Sequence, residues 1–288
     1  MKRIVILGGG TAGTIMTNKL REALERNEWE ITLVDKDKTH YYQPGFLFIP
    51  FEIYKKQDVI KPKMDFIPAG IDMIFSEIDR IDAENNQVIL HDDKHIKYDI
   101  LIIATGTDIR PEETPGLKDK LWYNKIFDFY SLDGALALRD FLRGWDGGTM
   151  VVNIVDVPHK CPVAPLEFSF LADEFFTKKG IRNKVNIKYV TPQAGAFTKP
   201  RANKMLSGLL EEKNIEIIPD FYIDRVDNDK SSIIAYDGRE IPFDLLTVVP
   251  LNMGSDAIGR SGLGDDLNYI PTNKYTLQSE KFENIFVI

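Results

Sequence analysis

The 288-residue sequence predicts an α/β protein made of two copies of one βαβ unit, each with a parallel sheet and a small β-meander. Three observations predict this fold class. A glycine-rich loop joins a buried strand to a helix near the N-terminus, two later segments repeat each other at one spacing, and a proline-rich stretch separates the copies.

The glycine loop, GGGTAG, follows the apolar and β-branched strand IVIL at residues 4–7. It places Gly8, Gly10 and Gly13 at the spacing G-x-G-x-x-G, a helix follows, and the next strand, EITLVD, ends in Asp35. In a dinucleotide site such glycines permit a tight turn and a close approach of the pyrophosphate, and the acid binds the ribose. The alternative is a glycine-rich turn without a ligand, but the order of strand, loop, helix, strand and acid favours the site.

The internal repeat is visible without an insertion. Residues 78–104 read IDRIDAENNQVILHDDKHIKYDILIIA, and residues 223–249 read IDRVDNDKSSIIAYDGREIPFDLLTVV. Each copy predicts two alternating strands around a polar turn and then a buried apolar strand. In each copy an arginine precedes an aspartate by the same 19 positions, as in the pairs Arg80 with Asp99 and Arg225 with Asp244.

The repeat extends backwards along the chain, and there the second copy differs from the first. VVNIVDV at residues 151–157 takes the place of the first strand, and VNIKYVT at residues 185–191 takes the place of EITLVD. Where the first copy has GGGTAG the second has DVPHKC, and Thr191 stands where the first copy has Asp35. We therefore expect that the second copy does not bind a dinucleotide in the usual way.

The degenerate turn of the second copy holds Cys161, the only cysteine in the chain. Pro162 and Pro165 suit the first turn of a helix, so we expect Cys161 at the helix N-cap. There the helix dipole and Lys160 would favour the nucleophilic thiolate, and His159 would add to this when protonated. A single cysteine is more often buried and inert, but its position at this turn favours a reactive one.

Composition excludes several classes of protein. The net charge of −8 argues against a nucleic-acid surface, and no apolar run reaches the ~18 residues of a membrane-spanning helix. The N-terminus is not expected to be a signal peptide, because its apolar stretch at residues 4–7 is short and runs directly into glycines, and we expect a cytoplasmic protein. No metal is assigned, because His91 and His95 lie in a predicted hairpin without further ligands.

The repeat also predicts the domain boundaries. Residues 1–110 are expected to form the first part of one domain, and residues 111–148 a linker with a crossing helix. Residues 149–250 are expected to form the second domain, and residues 251–288 to return to the first.

Several of these motifs together resemble a family. GGGTAG with Asp35, IIATG with Thr105 and Gly106, the turn PHKCPVAPLE, and VTP at residues 190–192 are similar to the sulfide:quinone oxidoreductases. They also resemble the related flavoprotein of flavocytochrome c sulfide dehydrogenase. Both belong to the glutathione-reductase-like flavoproteins, which have two Rossmann-like dinucleotide-binding domains, and the cysteine turn is the specific part of the resemblance.

The resemblance implies FAD in the first copy, with Asp35 at the adenosine ribose, backbone groups around Ile78 at the adenine, and Thr105 and Gly106 closing over the dinucleotide. It also implies that Cys161 attacks the sulfur of sulfide and passes electrons to the flavin, which a membrane quinone reoxidises. A peripheral membrane contact through a C-terminal amphipathic part and a homo-oligomer are expected as well. The full set of expected FAD-binding residues is Gly8, Gly10, Thr11, Ala12, Gly13, Asp35, Lys36, Ile78, Thr105 and Gly106.

The sequence departs from this family in two ways. Members usually pair the cysteine with another near the C-terminus, and this chain ends at FENIFVI without one. We interpret the chain as lacking a C-terminal part that holds a Gly-Asp pair, the partner cysteine, much of the quinone pocket and the membrane contact. In addition, LWYNKIFDFYSLDGALALRDFL lacks a further cysteine that some members have before the turn.

HYYQPGFLF at residues 40–48 contains no cysteine pair, which disfavours a disulfide reductase of the glutathione reductase type. Two other functions stay open as alternatives. A flavin enzyme that takes hydride from NADH, like the type II NADH dehydrogenases, is disfavoured by the lost glycines and by Thr191. A non-catalytic flavin protein that senses redox state through oxidation of Cys161 is the other alternative.

Overall fold

The computed structural model describes residues 1–288 and divides them into two compact units. The first unit comprises Met1–Tyr41, Ile60–Asp108 and Met253–Ile288, and the second comprises Tyr42–Val59 and Ile109–Asn252. Residues 111–148, the expected linker, lie within the second unit. No helix of the chain is long and apolar enough to cross a membrane.

The strands, numbered in chain order, are β1 Lys2–Leu7, β2 Trp29–Asp35, β3 Thr39–Tyr41, β4 Ile60–Pro62, β5 Asp72–Phe75, β6 Ile78–Asp82, β7 Gln87–Leu90, β8 His95–Lys97, β9 Ile100–Ile103, β10 Thr107–Ile109, β11 Ile126–Phe127, β12 Gly148–Ile154, β13 Val185–Val190, β14 Ile215–Ile218, β15 Ile223–Asp227, β16 Ser232–Ala235, β17 Glu240–Pro242, β18 Leu245–Val249, β19 Asn252–Gly254 and β20 Ile285–Val287. The helices are α1 Thr11–Ala23, α2 Lys56–Val59, α3 Leu132–Gly144, α4 Ala164–Lys178, α5 Pro200–Glu212 and α6 Asp256–Arg260. Short 3₁₀ helices cover Gln43–Phe48, Lys63–Phe66, Pro111–Glu113 and Arg182–Lys184.

The first unit is built on a five-stranded parallel sheet in the order β20-β9-β1-β2-β5. Its central strands are apolar on both faces, because each face is covered. One face packs on α1 through Ile4, Ile6 and Leu33, and the other packs on the antiparallel meander β6-β7-β8 through Val5 and Leu7.

The second unit repeats this plan. Its parallel sheet has the order β11-β18-β12-β13-β14, so β18, β12, β13 and β14 stand where the first unit has β9, β1, β2 and β5. The meander β15-β16-β17 corresponds to β6-β7-β8. The predicted α/β fold with two Rossmann-like domains is therefore confirmed.

Fine details of the two units also match. The first meander has a β-bulge between Ile78 and Arg80, and the second has one between Ile223 and Arg225. The paired aspartates found in the sequence repeat have the same task, since each accepts a hydrogen bond from a backbone amide at the start of the central strand. The bonds run from Arg3 to Asp99 at 2.6 Å and from Thr149 to Asp244 at 2.7 Å.

Candidate functional site

The glycine loop begins where β1 ends, and two of its glycines are required by close packing. Gly8 has φ +93°, and a Cβ there would lie 2.4 Å from the carbonyl oxygen of Ala104. A Cβ at Gly13 would lie 1.8 Å from the carbonyl oxygen of Gly8. No L-residue with a side chain fits either position without moving the backbone.

Gly10 has a different role, because a Cβ there would meet no atom within 4 Å. It is the N-cap of α1, and no side chain caps that helix end. The first amides of the helix, which have no partner within the helix, are therefore available to an anion in the open space beside Gly10. Thr11 and Ala12 form the first turn, as the sequence predicts.

Asp35 lies at the end of β2 and is tied to the loop. Its Oδ2 accepts a hydrogen bond from the amide of Gly9 at 2.5 Å and lies 2.6 Å from the Nζ of Lys63. The Lys63 side chain is 4% exposed, so this ion pair is buried. Lys63 was not predicted from the sequence, because no motif spacing marks it. Lys36, which was predicted, is exposed beyond the end of the strand.

The structure places the remaining expected residues at the same edge of the first sheet. The backbone of Thr105 lies against Gly8, where a Cβ would approach its Cα to 2.9 Å, and Gly106 has φ +68°. The amide of Ser76 donates to the carbonyl of Asp35, which brings the segment before Ile78 to the acid. The carbonyl of Ile78 itself accepts a hydrogen bond from Arg260.

These groups fit the pyrophosphate and ribose of a dinucleotide. An uncapped helix end, an open space at Gly10 and a carboxylate at the neighbouring strand end are the elements that such a ligand requires at the carboxyl edge of a parallel sheet. Thr191, at the equivalent position in the second unit, is fully buried, and its hydroxyl accepts from the amide of Gln193. The second unit therefore presents no acid at this place.

The cysteine turn of the second unit connects β12 to α4. Cys161 is exposed and has φ +48°. The expected N-cap position is wrong, because α4 begins at Ala164 with Val163 as its N-cap and Pro165 in its first turn. The prolines were compatible with either start, and Cys161 lies outside the first turn, where the helix dipole acts most strongly.

His159 and Lys160 precede Cys161 in the turn. Burial lowers the pKa of His159, so its imidazole is neutral near pH 7 and contributes no positive charge. Its Nδ1 lies 3.2 Å from the carbonyl of Lys160, and its Nε2 is buried without a partner. The Lys160 ammonium lies 3.4 Å from the Oε1 of Gln43.

The backbone of the turn is held from several sides. The hydroxyl of Tyr130 lies 2.8 Å from the carbonyl oxygen of Lys160 and 3.3 Å from that of Cys161. The amide of Lys160 donates to the Oδ1 of Asn252 at 3.3 Å, and the amide of Ala164 donates to the carbonyl of Cys161 at 3.1 Å. Neither Tyr130 nor Asn252 was predicted from the sequence. No group of three or more His, Cys, Asp or Glu side chains is arranged to hold a metal.

The chain is similar to known proteins in sequence and in fold. The family model described as pyridine nucleotide-disulphide oxidoreductase matches residues 2–139. The mitochondrial sulfide:quinone oxidoreductase of Dictyostelium discoideum is 27% identical over 99% of this chain, and that of Mus musculus is 25% identical over 99%. The chain spans 64% of the length of each of these two relatives.

Two other matches are informative. A type II NADH:quinone oxidoreductase of Staphylococcus haemolyticus is 31% identical, but over only 41% of this chain and 29% of its own length. The crystal structure of the sulfide:quinone oxidoreductase of Aquifex aeolicus superimposes with a TM-score of 0.86 at 22% identity, over 100% of this chain and 68% of that one. These matches confirm the resemblance to the sulfide:quinone oxidoreductases along nearly the whole chain, and residues 2–139 match the pyridine nucleotide-disulphide oxidoreductase model.

Proposed function

We propose that this chain forms part of an enzyme that oxidises sulfide to sulfur or polysulfide through Cys161 and delivers the electrons to a membrane quinone. One observation carries the proposal. The only cysteine of the chain is exposed in the turn after β12, at the place where the first unit has its ligand-binding glycine loop. A thiol at such a turn is accessible to a small anion.

The net reaction balances without a further reactant. Hydrosulfide, HS⁻, loses two electrons and its proton to leave sulfur at the zero-valent level, and the quinone takes up two electrons and two protons. The sum is HS⁻ + H⁺ + quinone → S⁰ + quinol. Formation of an S–S bond between the Cys161 thiolate and HS⁻ would release two electrons and one proton, and FAD at the proposed cofactor site would accept the two electrons. Attack of a second HS⁻ on the outer sulfur would then release HS–S⁻ and restore the thiolate.

The first unit supplies the cofactor site of this proposal. FAD, when bound, accepts two electrons from the sulfur chemistry and gives them to the quinone. The helix amides beside Gly10 would hold the pyrophosphate, and the carboxylate of Asp35 would hold the ribose. Backbone groups near Ile78, together with Lys36, Thr105 and Gly106, complete the proposed cofactor site.

The quinone acceptor, the membrane attachment and the homo-oligomer are proposed from the similarity to other proteins. The names of the relatives specify sulfide and quinone as their substrates. We assign the same substrates here, with peripheral attachment at the cytoplasmic side of a membrane and assembly into a homo-oligomer.

A nicotinamide-dependent reaction is the second candidate, because the NADH:quinone oxidoreductase matches part of this chain. The second unit argues against it, since the turn after β12 has no glycine loop and Thr191 replaces the ribose-binding acid. The third candidate is a sensor in which Cys161 is oxidised without turnover.

The visible spectrum of the flavin under anaerobic conditions tests these candidates. Sulfide alone should bleach the flavin of the wild-type protein, and NADH alone should not. The Cys161→Ser protein should keep its FAD and lose bleaching by sulfide. Bleaching by NADH alone, or a Cys161→Ser protein reduced by sulfide at the wild-type rate, would refute the proposal. Sulfide bleaching without reoxidation by a soluble quinone would favour the sensor.

A further inference from the structure

We propose that Tyr130 is a positioning residue that fixes the backbone of the cysteine turn, residues 155–163, so that the Cys161 thiol is held in one orientation. This inference rests on the proposed function, because it assigns a task to Tyr130 in the reaction of Cys161. It adds a residue from outside the turn, on the segment between β11 and α3.

The geometry places one phenol proton between two consecutive carbonyls. The Tyr130 hydroxyl donates to the carbonyl of Lys160 at 2.8 Å, and the carbonyl of Cys161 lies 3.3 Å away. Burial raises the pKa of Tyr130, so the phenol stays protonated and remains a donor throughout the neutral and mildly alkaline range.

The cysteine backbone needs such a restraint. Cys161 has φ +48°, in the left-handed region that residues with a Cβ rarely adopt. A residue persists in this conformation where the surrounding contacts over-determine it. The contacts of Tyr130 with the carbonyls of Lys160 and Cys161 act from one side, and the Oδ1 of Asn252 accepts from the amide of Lys160.

Tyr130 is itself anchored. Its amide donates to the Oδ1 of Asp128 at 2.9 Å, and this carboxylate is fully buried. Asp128 also accepts from the amide and the hydroxyl of Ser131, the N-cap of α3, and from the hydroxyl of Tyr123. The ring of Tyr130 packs on Phe129 with the ring centroids 5.0 Å apart. The phenol is thus carried by a rigid helix start.

The Tyr130→Phe variant removes only the hydroxyl and keeps the ring contact. We expect the amide of Ala164, which donates to the carbonyl of Cys161, to exchange its hydrogen about fivefold faster, which corresponds to about 1 kcal/mol. The rate of flavin reduction at saturating sulfide should fall by a similar factor, about fivefold, because the thiol samples unproductive orientations. The KM for quinone should not change, since Tyr130 contacts neither substrate in this assignment.

Tyr98→Phe is the matched control. Tyr98 is a buried tyrosine of the first unit, and its hydroxyl has no hydrogen-bond partner. This variant should change neither the exchange at Ala164 nor the rate with sulfide. Should Tyr130→Phe not fold, 4-fluorophenylalanine at position 130 keeps an atom in the place of the hydroxyl and removes the donor.

The outcomes separate the two proposals. Unchanged exchange at Ala164 in Tyr130→Phe would overturn the inference, and so would faster exchange with an unchanged rate of flavin reduction by sulfide. A wild-type protein whose flavin sulfide does not reduce would refute the proposed function. In that case, exchange at Ala164 would still show whether Tyr130 holds the turn.

Discussion

The ammonium of Lys63 lies 2.6 Å from the carboxylate of Asp35, and the same carboxylate accepts a hydrogen bond from the amide of Gly9. Two oppositely charged groups and one backbone amide of the glycine loop therefore form a single buried cluster. A change at Asp35 thus affects both the loop and the charge balance beneath it.

Asp35→Asn should weaken both folding and flavin binding. The substitution leaves the buried ammonium of Lys63 without its counter-charge, which costs about 3 kcal/mol of unfolding free energy. Denaturant unfolding and the flavin content after dialysis measure the two effects. In the double variant Asp35→Asn with Lys63→Met, stability should recover in part while flavin retention stays low. Full flavin retention in either variant would remove Asp35 from the cofactor site.

Gly10→Ala and Gly13→Ala should separate ligand binding from folding. A Cβ at Gly10 meets no protein atom, so the apoprotein should lose only about 1 kcal/mol of stability, the usual cost of alanine at a helix N-cap, while flavin affinity falls about tenfold or more. A Cβ at Gly13 meets the carbonyl of Gly8 at 1.8 Å, so that variant should unfold at lower temperature. Calorimetry of both apoproteins and flavin titration provide the comparison, and unchanged flavin affinity in Gly10→Ala would contradict the role of the open space.

Cys161→Gly should stabilise the fold while abolishing reaction with sulfide. Glycine adopts the positive φ of this position without the Cβ conflict, and we expect a gain of about 1 kcal/mol. Cys161→Ser keeps the Cβ and should show no such gain, which makes it the matched control in thermal unfolding. Equal stability of the two variants would mean that the turn relaxes at no cost.

The stability of the fold should depend on His159 in mildly acidic solution. Its pKa is lowered in the folded state by burial, whereas in the unfolded chain it lies at about 6.5. Falling pH therefore protonates the unfolded chain first, so stability is lost as the pH drops from about 6.5 towards the lowered value. His159→Asn should lose less unfolding free energy between pH 7 and pH 5 than the wild type, because the variant lacks the imidazole that binds a proton on unfolding. The exposed His91→Asn serves as control, and equal pH dependence in all three proteins would contradict the buried neutral imidazole.

The sequence repeat allowed much of the fold to be predicted, because it records constraints that act within each unit. Asp99 and Asp244 recur since each binds the amide at the start of its central strand, and Arg80 and Arg225 recur beside matching bulges. Gly8 and Gly13 were predictable for a similar reason, because their close approaches are local to one strand, one loop and one helix.

The contacts that complete the sites were not predictable from a local pattern. Lys63 reaches Asp35 from a 3₁₀ helix after β4, and Tyr130 reaches the carbonyl of Cys161 from a segment 31 residues earlier in the chain. Neither residue has a periodicity or a motif that marks it. The helix start after Cys161 was misplaced because Pro162 and Pro165 both suit a first turn, and only packing decides between them.

The matching bulges at Ile78 with Arg80 and at Ile223 with Arg225 have a consequence for engineering. They give the two meanders the same strand register. The sheet and meander of each unit are therefore the same whichever loop follows the first strand, β1 or β12. One scaffold carries the glycine loop after its first strand, and the other carries Cys161 at the same place. A glycine loop placed after β12, together with an acid in place of Thr191, is therefore expected to give the second unit the elements of a nucleotide site on an unchanged sheet.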